Sequence, residues 1–386
     1  MFNTQNHITI YLKEILMKRS SSPFPLTGLF CDCMENFWND GVFDEYSDDH
    51  FLIRAIYQDD IYFQNLFIEK SYRTQFYESF GINFIMNLNS RINFLCKHFG
   101  KDKIANFLRN QFSAGKQNYS EKTFFEALAE IHVLAHFLAF TAFSVTSAEY
   151  EPCLVENSNH NPEARIKYSN NLTLDIEVKT PNFPNRTITT NYLFPATLLT
   201  NVGRKLLSDC CKNYNIELRL PRVLKIKEFI ESAGSKFTQI ETKKHINMLF
   251  INWSYTDMWE NPLFEPVSLL CNGNNGILIT DAAHNQIELN ESDLQKISAF
   301  FIYTIPEETL LFSDFRYLFR DRCYRIIVNP YAPYDSADLI HNLTRMSVNY
   351  PQELSKNLTS FFNLEDKDWS NELMELGKII DENTIQ

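Results

Sequence analysis

The chain has 386 residues, a net charge of −12, 44% apolar residues, and 33 Phe and 18 Tyr against only 10 Gly. That length allows a large core and two domains, and the aromatic-rich, glycine-poor mix suits a helix-rich body with few tight turns. The eight cysteines form no Cys-x-x-Cys pair, which excludes a zinc ribbon or a thioredoxin-type motif. With neither a secretory start nor a membrane-length apolar window, the expectation is a soluble cytoplasmic protein with reduced thiols and no membrane partner.

Residues 1–115 read as a helical N-terminal region. Apolar residues at three-to-four spacing predict helices over Ile8–Met17, Phe51–Tyr57, Ile61–Phe76 and Ile82–Phe99. Breaks fall at Ser20–Pro25, Gly81 and Gly100-Lys101-Asp102, and Asp44–Asp49 forms an acidic loop. A core domain is expected over 116–335. It opens on a helix from Glu121 to Thr141, N-capped by Ser120 or Thr123.

The pattern then changes to strands. Phe143–Thr146 pairs with Tyr150–Val155, and Arg165–Tyr168 with Leu172–Lys179 through Ser169-Asn170-Asn171. Pro181 stops the latter strand because proline cannot donate to a ladder. Helices follow at 195–214 and 222–235. Met248–Trp253, Gly276–Thr280, Ile297–Ile305 and Arg325–Val328 are candidate buried strands. Residues 336–386 return to helix, broken at Pro351, and pack on the core.

The chemistry concentrates in Leu174-Asp175-Ile176-Glu177-Val178-Lys179. On a strand, residues 175, 177 and 179 share one face, so two acids and a lysine project together. Pro162-Glu163 opens the neighbouring strand, and Glu130 lies on the helix before it. Carboxylates on adjacent strands with a lysine beside them suit Mg²⁺ or Mn²⁺ and an activated water. Three ionisable groups on one face of a core strand are costly unless they serve a site or reach solvent.

This order of helix with Glu130, strands, Pro162-Glu163, Asp175–Lys179, helix and strand at Met248 resembles the PD-(D/E)XK nuclease superfamily over residues 121–255. That group includes restriction enzymes, DNA-repair nucleases and Holliday-junction resolvases. The resemblance implies an α/β, restriction-endonuclease-like mixed central sheet flanked by helices. It implies that Glu163, Glu177 and the Val178 carbonyl ligate the divalent ion, with Glu130 reaching it directly or through water. Lys179 would orient or deprotonate the attacking water. Lys236 or Gln239, at the end of the helix behind the site, would contact the scissile phosphate. Where the family usually carries Asp, this chain has Glu163, and one extra methylene shifts the carboxylate. The implied partner is nucleic acid, DNA before RNA. The N-terminal helices would serve recognition, a protein partner or a homodimer.

Plainer readings stand beside these. Glu177 and Lys179 also fit the wet side of an edge strand, and Glu126 and Glu130 a solvated helix face. His132 and His136 have zinc-ligand spacing but lack the His-Glu-x-x-His acid and sit among apolar neighbours, so packed histidines are the better reading. Residues 164–244 hold 14 Lys/Arg against 7 Asp/Glu, either a solvated helical face or a phosphate-tracking surface. Three functions follow: a metal-dependent DNA endonuclease, a nuclease-fold binding module that no longer cuts, or an α/β protein-interaction module.

Overall fold

The computed structural model describes residues 88, 90–112, 120–154, 161–181, 222–253, 263–273, 276–304 and 324–362. The expected helices before residue 82 and at 195–214, the acidic loop at 44–49 and the Asn-rich segment from 157 to 160 lie outside the described residues.

The described elements run in an α/β order. They are α1 (Lys101–Asn110), α2 (Glu121–Ala139), β1 (Val145–Tyr150), β2 (Ala164–Tyr168), β3 (Thr173–Lys179), α3 (Val223–Lys236) and β4 (His245–Asn252). There follow α4 (Phe264–Cys271), α5 (Asp281–Ile287), α6 (Glu291–Leu294), β5 (Ala299–Tyr303), β6 (Tyr324–Val328), α7 (Ala337–Thr344), β7 (Val348–Asn349) and α8 (Pro351–Phe362). The strands form a seven-stranded mixed sheet in sequence order from β1 to β7. Two compact units divide the chain. One takes the described residues up to Pro152 together with Glu163–Thr173; the other takes Leu174–Thr304 and the chain from Tyr324 onward, with residues 153–162.

In the first unit, Gly100 at φ 91 separates a helical run over 90–99 from α1, a backbone that favours glycine. Ser120 caps α2 by accepting the Thr123 N–H at 3.4 Å, so the first of the two predicted caps is the one used. Ala127 to Leu138 of α2 are all buried. Strands β1 and β2 are antiparallel, with Tyr150 opposite Ala164 and a register shift between Val145 and Ser147. The turn after β2 is built by asparagines: Asn171 takes φ 63, and the Asn170 side chain accepts the Leu172 N–H at 3.1 Å.

In the second unit, Met248–Ile251 of β4 and all of β5 are apolar and buried, and the two strands are parallel, as strands covered on both faces should be; β5 pairs antiparallel with β6. One core holds Ile226, Phe229, Ile230 and Ala233 of α3 together with Leu249 and Ile251 of β4 and Phe300 and Ile302 of β5. The end of α3 is pinned by polar ties. Asn247 of β4 donates to the Thr238 and Lys296 carbonyls at 2.8 Å each, and Lys296 donates to the Gly234 carbonyl at 2.7 Å.

Several expectations need correction. Tyr150–Val155 is not a partner strand for Phe143–Thr146; one strand runs Val145–Tyr150 and pairs with β2, ended by Glu151 at φ 48. Gly276–Thr280 is a buried turn, because Gly276 N–H bonds the Asn272 carbonyl at 2.6 Å and the Ile279 and Thr280 N–H groups fold back onto Gly276 O. Its apolar residues are buried without a ladder. Pro351 begins α8 and does not interrupt a helix, as its missing N–H allows at a first turn. The short strand β7 interrupts the expected C-terminal helix.

Candidate functional site

Strand β3 carries the candidate motif, with neighbours on both sides in the sheet order, so Glu177 does not line an edge strand. Asp175 and Glu177 are both 0% exposed. Their partners come from three places: two lysines and a histidine. Glu177 Oε1 lies 2.6 Å from Lys179 Nζ on its own strand and 2.6 Å from Lys236 Nζ in the last turn of α3. Asp175 Oδ2 accepts from His245 Nε2, at the start of β4, at 2.8 Å. The two lysine contacts are short and charge-assisted. Glu177 Oε2 is buried and takes no hydrogen bond among the described residues. Val178, between the two ionised positions, turns its side chain to the opposite face and is buried there.

The two lysines are the partly exposed members of this ion cluster. The Lys179 and Lys236 side chains are 20% and 16% exposed, against 0% for Glu177. Alternation along β3 foretold Lys179. Lys236 was named only through the resemblance, and its contact with Glu177 joins residues far apart in sequence. Gln239, the other residue offered for that role, is exposed beyond the end of α3. His245 was not foreseen. A histidine opening an apolar strand is the only sequence signal for it.

In the first unit, Glu130 and Glu163 come together around Tyr150. Glu130 is buried, Glu163 half-buried, and Glu130 accepts a hydrogen bond from the Tyr150 phenol. Burial first, then the charges of Glu130, Glu163 and Glu151, hold that phenol far above the ordinary tyrosine range. Gln111 Nε2 donates to the Tyr150 oxygen at 3.3 Å and to Glu151 at 3.2 Å, and Lys103 donates to the Tyr150 carbonyl at 3.0 Å. Thus Glu130 and Glu163 both act on Tyr150, and Glu177 pairs with Lys179. Among the described residues, no group of three or more His, Cys, Asp or Glu side chains is arranged to hold a metal ion.

Family models, curated proteins and solved structures were compared with the chain, and none matches.

The remaining motifs resolve into packing. His132 is buried, and Nδ1–H donates to the Leu128 carbonyl at 2.6 Å while Nε2 accepts from Arg91 at 3.2 Å. Burial, reinforced by the Arg91 charge, pushes its pKa well below the usual histidine value. His136 packs against Phe137 and Phe140. Lys225 and Lys227 pair with Glu228 and Glu231 along their own helix, the solvated-face arrangement. No helix among the described residues is long and apolar enough to cross a membrane.

Proposed function

We propose that the chain is a divalent-metal-dependent endonuclease of PD-(D/E)XK type, with a restriction-endonuclease-like core, hydrolysing DNA phosphodiester bonds. The observation that carries this reading is Glu177: a carboxylate withdrawn from water, one oxygen gripped by two ammonium groups, the other buried and open. An open carboxylate oxygen is a hard ligand that fits Mg²⁺ or Mn²⁺. When bound, such an ion lowers the pKa of a coordinated water and makes it a nucleophile near neutral pH.

The chain's own residues supply the rest. Glu177 would hold the ion, with the Val178 carbonyl as a second ligand. Lys179 orients the attacking water and offsets the charge that grows on the phosphorus oxygens as the bond breaks. Glu130 and Glu163 enter the ligand set through the resemblance alone. A role in defence against foreign DNA or in processing mobile elements follows by family analogy.

The second reading, a nuclease-fold protein that binds without cutting, draws on the same carboxylate. Its Oε1 is already neutralised by two lysines, an ion cluster complete without a metal. Glu163 in place of Asp points the same way.

The test is cleavage of duplex, single-stranded and branched DNA and of RNA, with Mg²⁺ or Mn²⁺, against EDTA and Lys179→Ala. Metal-dependent cutting that disappears in the variant is expected. Folded wild type that is inert on every substrate yet binds Mn²⁺ sinks the catalytic reading and leaves the binding module.

A further inference from the structure

We infer that His245 is the general base of the proposed reaction: its Nδ1 accepts a proton from the attacking water, and Asp175 holds the ring in the form that can do so. The role rests on the nuclease reading above; the histidine–carboxylate dyad rests on geometry.

The need for a base comes from the cluster itself. Lys179 grips Glu177 Oε1 at 2.6 Å as an ammonium, and an ammonium has three N–H donors and no lone pair. In that state it can orient a water but cannot take its proton. Lys236, also 2.6 Å from that oxygen, is in the same position. Glu177 Oε1 is engaged by both lysines, and Oε2 is the atom through which the ion would bind. The proton acceptor has to be another group.

His245 has the form of one. Its Nε2 lies 2.8 Å from Asp175 Oδ2, and a carboxylate only accepts, so in the neutral ring the proton sits on Nε2. That leaves the lone pair on Nδ1, which takes no hydrogen bond among the described residues. The Asp175 side chain is wholly buried while 16% of the His245 side chain is exposed, so the dyad has a dry end and a wet end. The His245 backbone N–H donates to the Thr242 carbonyl at 3.1 Å, which fixes the start of β4. Asp175 and Glu177 stand two residues apart on one face of β3, about 6.6 Å along the strand, so the dyad borders the carboxylate that would hold the ion. Of the charged groups around the ring, Asp175 touches it, and Glu177 and Lys179 follow along β3. Lys236 ends α3, and Lys243 and Lys244 precede the histidine in sequence.

The step balances on these residues. Nδ1 takes a proton from water as the water oxygen bonds to phosphorus. The bond from phosphorus to the leaving sugar oxygen breaks, its electron pair stays on that oxygen, and solvent supplies the proton that completes the hydroxyl. The imidazolium that forms faces Asp175 and returns its proton to solvent.

The test compares the full-length wild type with His245→Gln. Glutamine places an amide nitrogen where Nε2 stands, so a donor to Asp175 is kept while the base is removed. In wild type held in EDTA, ¹⁵N chemical shifts of the histidine rings should show neutral His245 protonated at Nε2. His245→Gln, checked for folding by circular dichroism, should bind Mn²⁺ and duplex DNA as wild type does. On the substrate that wild type cuts fastest, its kcat should fall about 100-fold or more with KM unchanged. The loss of rate on acidification that protonation of His245 produces should also be absent from its pH profile. A structural tie from His245 to Asp175 would survive in glutamine and leave both readouts unmoved.

Neutral His245 protonated at Nδ1, or His245→Gln cutting at the wild-type rate with the wild-type pH profile, overturns the inference and leaves the nuclease reading standing. Wild type that cuts no substrate removes the nuclease reading and the base role with it. The tautomer measurement uses wild type alone and holds even where the variant does not fold.

Discussion

Replacing both lysines at Glu177 should cost far more than the sum of replacing each. Lys179→Met and Lys236→Met keep the apolar stems and remove only the ammonium groups. In either single variant the other Nζ still lies 2.6 Å from Glu177 Oε1, so the carboxylate keeps a cation. A charge-assisted hydrogen bond contributes about 1.5–3 kcal/mol, but a partly wet lysine with a surviving neighbour gives up less, so each single change should cost about 1 kcal/mol. The double variant strands a carboxylate that is 0% exposed. Removing the partners of a buried charge costs about 3–5 kcal/mol, which puts the coupling between the two positions at about 1–3 kcal/mol. Urea denaturation of all four proteins, with m-values checked for constancy, measures it. If the double variant equals the sum of the singles within about 0.5 kcal/mol, the lysines do not share Glu177 in solution.

Other expectations are simpler. Gly234→Ala should destabilise the protein although alanine is the better helix former. The added Cβ would lie 2.6 Å from the Asp293 Cα, so backbone must move. A helix gain of about 1 kcal/mol is then set against an overpacking cost of about 1–3 kcal/mol, for a net loss of up to about 2 kcal/mol in urea titrations. A net gain would mean that α6 shifts freely. His132 gives a pH signature. Its folded-state pKa is pushed below its unfolded value, so the unfolded chain takes up the proton first as pH falls. Stability linked to His132 is therefore complete above about pH 6.5 and is lost below it, by up to about 1.4 kcal/mol per pH unit. The stability difference between wild type and His132→Gln should shrink from pH 7.5 to 5.5; a constant difference refutes the buried neutral assignment. Tyr168→Phe should cost about 1 kcal/mol in the same urea assay, because the Phe137 carbonyl loses its 3.0 Å donor inside the core; a neutral change would mean that carbonyl is satisfied otherwise.

Periodicity made the strongly patterned elements legible. The run of Ala, Leu and Phe after Ser120 gave α2 to within two residues, and the unbroken apolar runs gave β4, β5 and β6. It failed where burial and pattern part company. Ile277, Leu278 and Ile279 look like a strand because they are apolar, yet Gly276 approaches the Asn272 backbone closely enough to fold them into a turn. A side-chain pattern does not report that approach. The short strand β7, at Val348-Asn349, is too brief to carry any period. At the site, the alternation of Asp175, Glu177 and Lys179 was visible because it is local. The pairing of Glu177 with Lys236 and of Asp175 with His245 spans 59 and 70 residues, and depends on where α3 and β4 settle.

The charge on β3 is the feature that favours the proposed site over an accident of packing. Buried ion pairs are poor sources of stability, since apolar residues of similar volume do as well or better. A strand in the middle of a sheet, between apolar β4 residues and the Leu174, Ile176 and Val178 side chains, would be most stable with apolar residues at 175 and 177 too. It instead carries two buried carboxylates, Glu177 held by Lys236 of α3 and Asp175 by His245 of β4. Had the acids been tolerated surface residues, they would reach solvent; had they been structural staples, every oxygen would be satisfied. Glu177 Oε2 meets neither condition. Glu177 Oε2 is therefore the atom through which the proposed ion would bind, and titration of wild type and Glu177→Gln with Mn²⁺ tests that proposal. Binding lost in the glutamine variant supports the metal site, while equal binding in both moves the metal elsewhere on the chain.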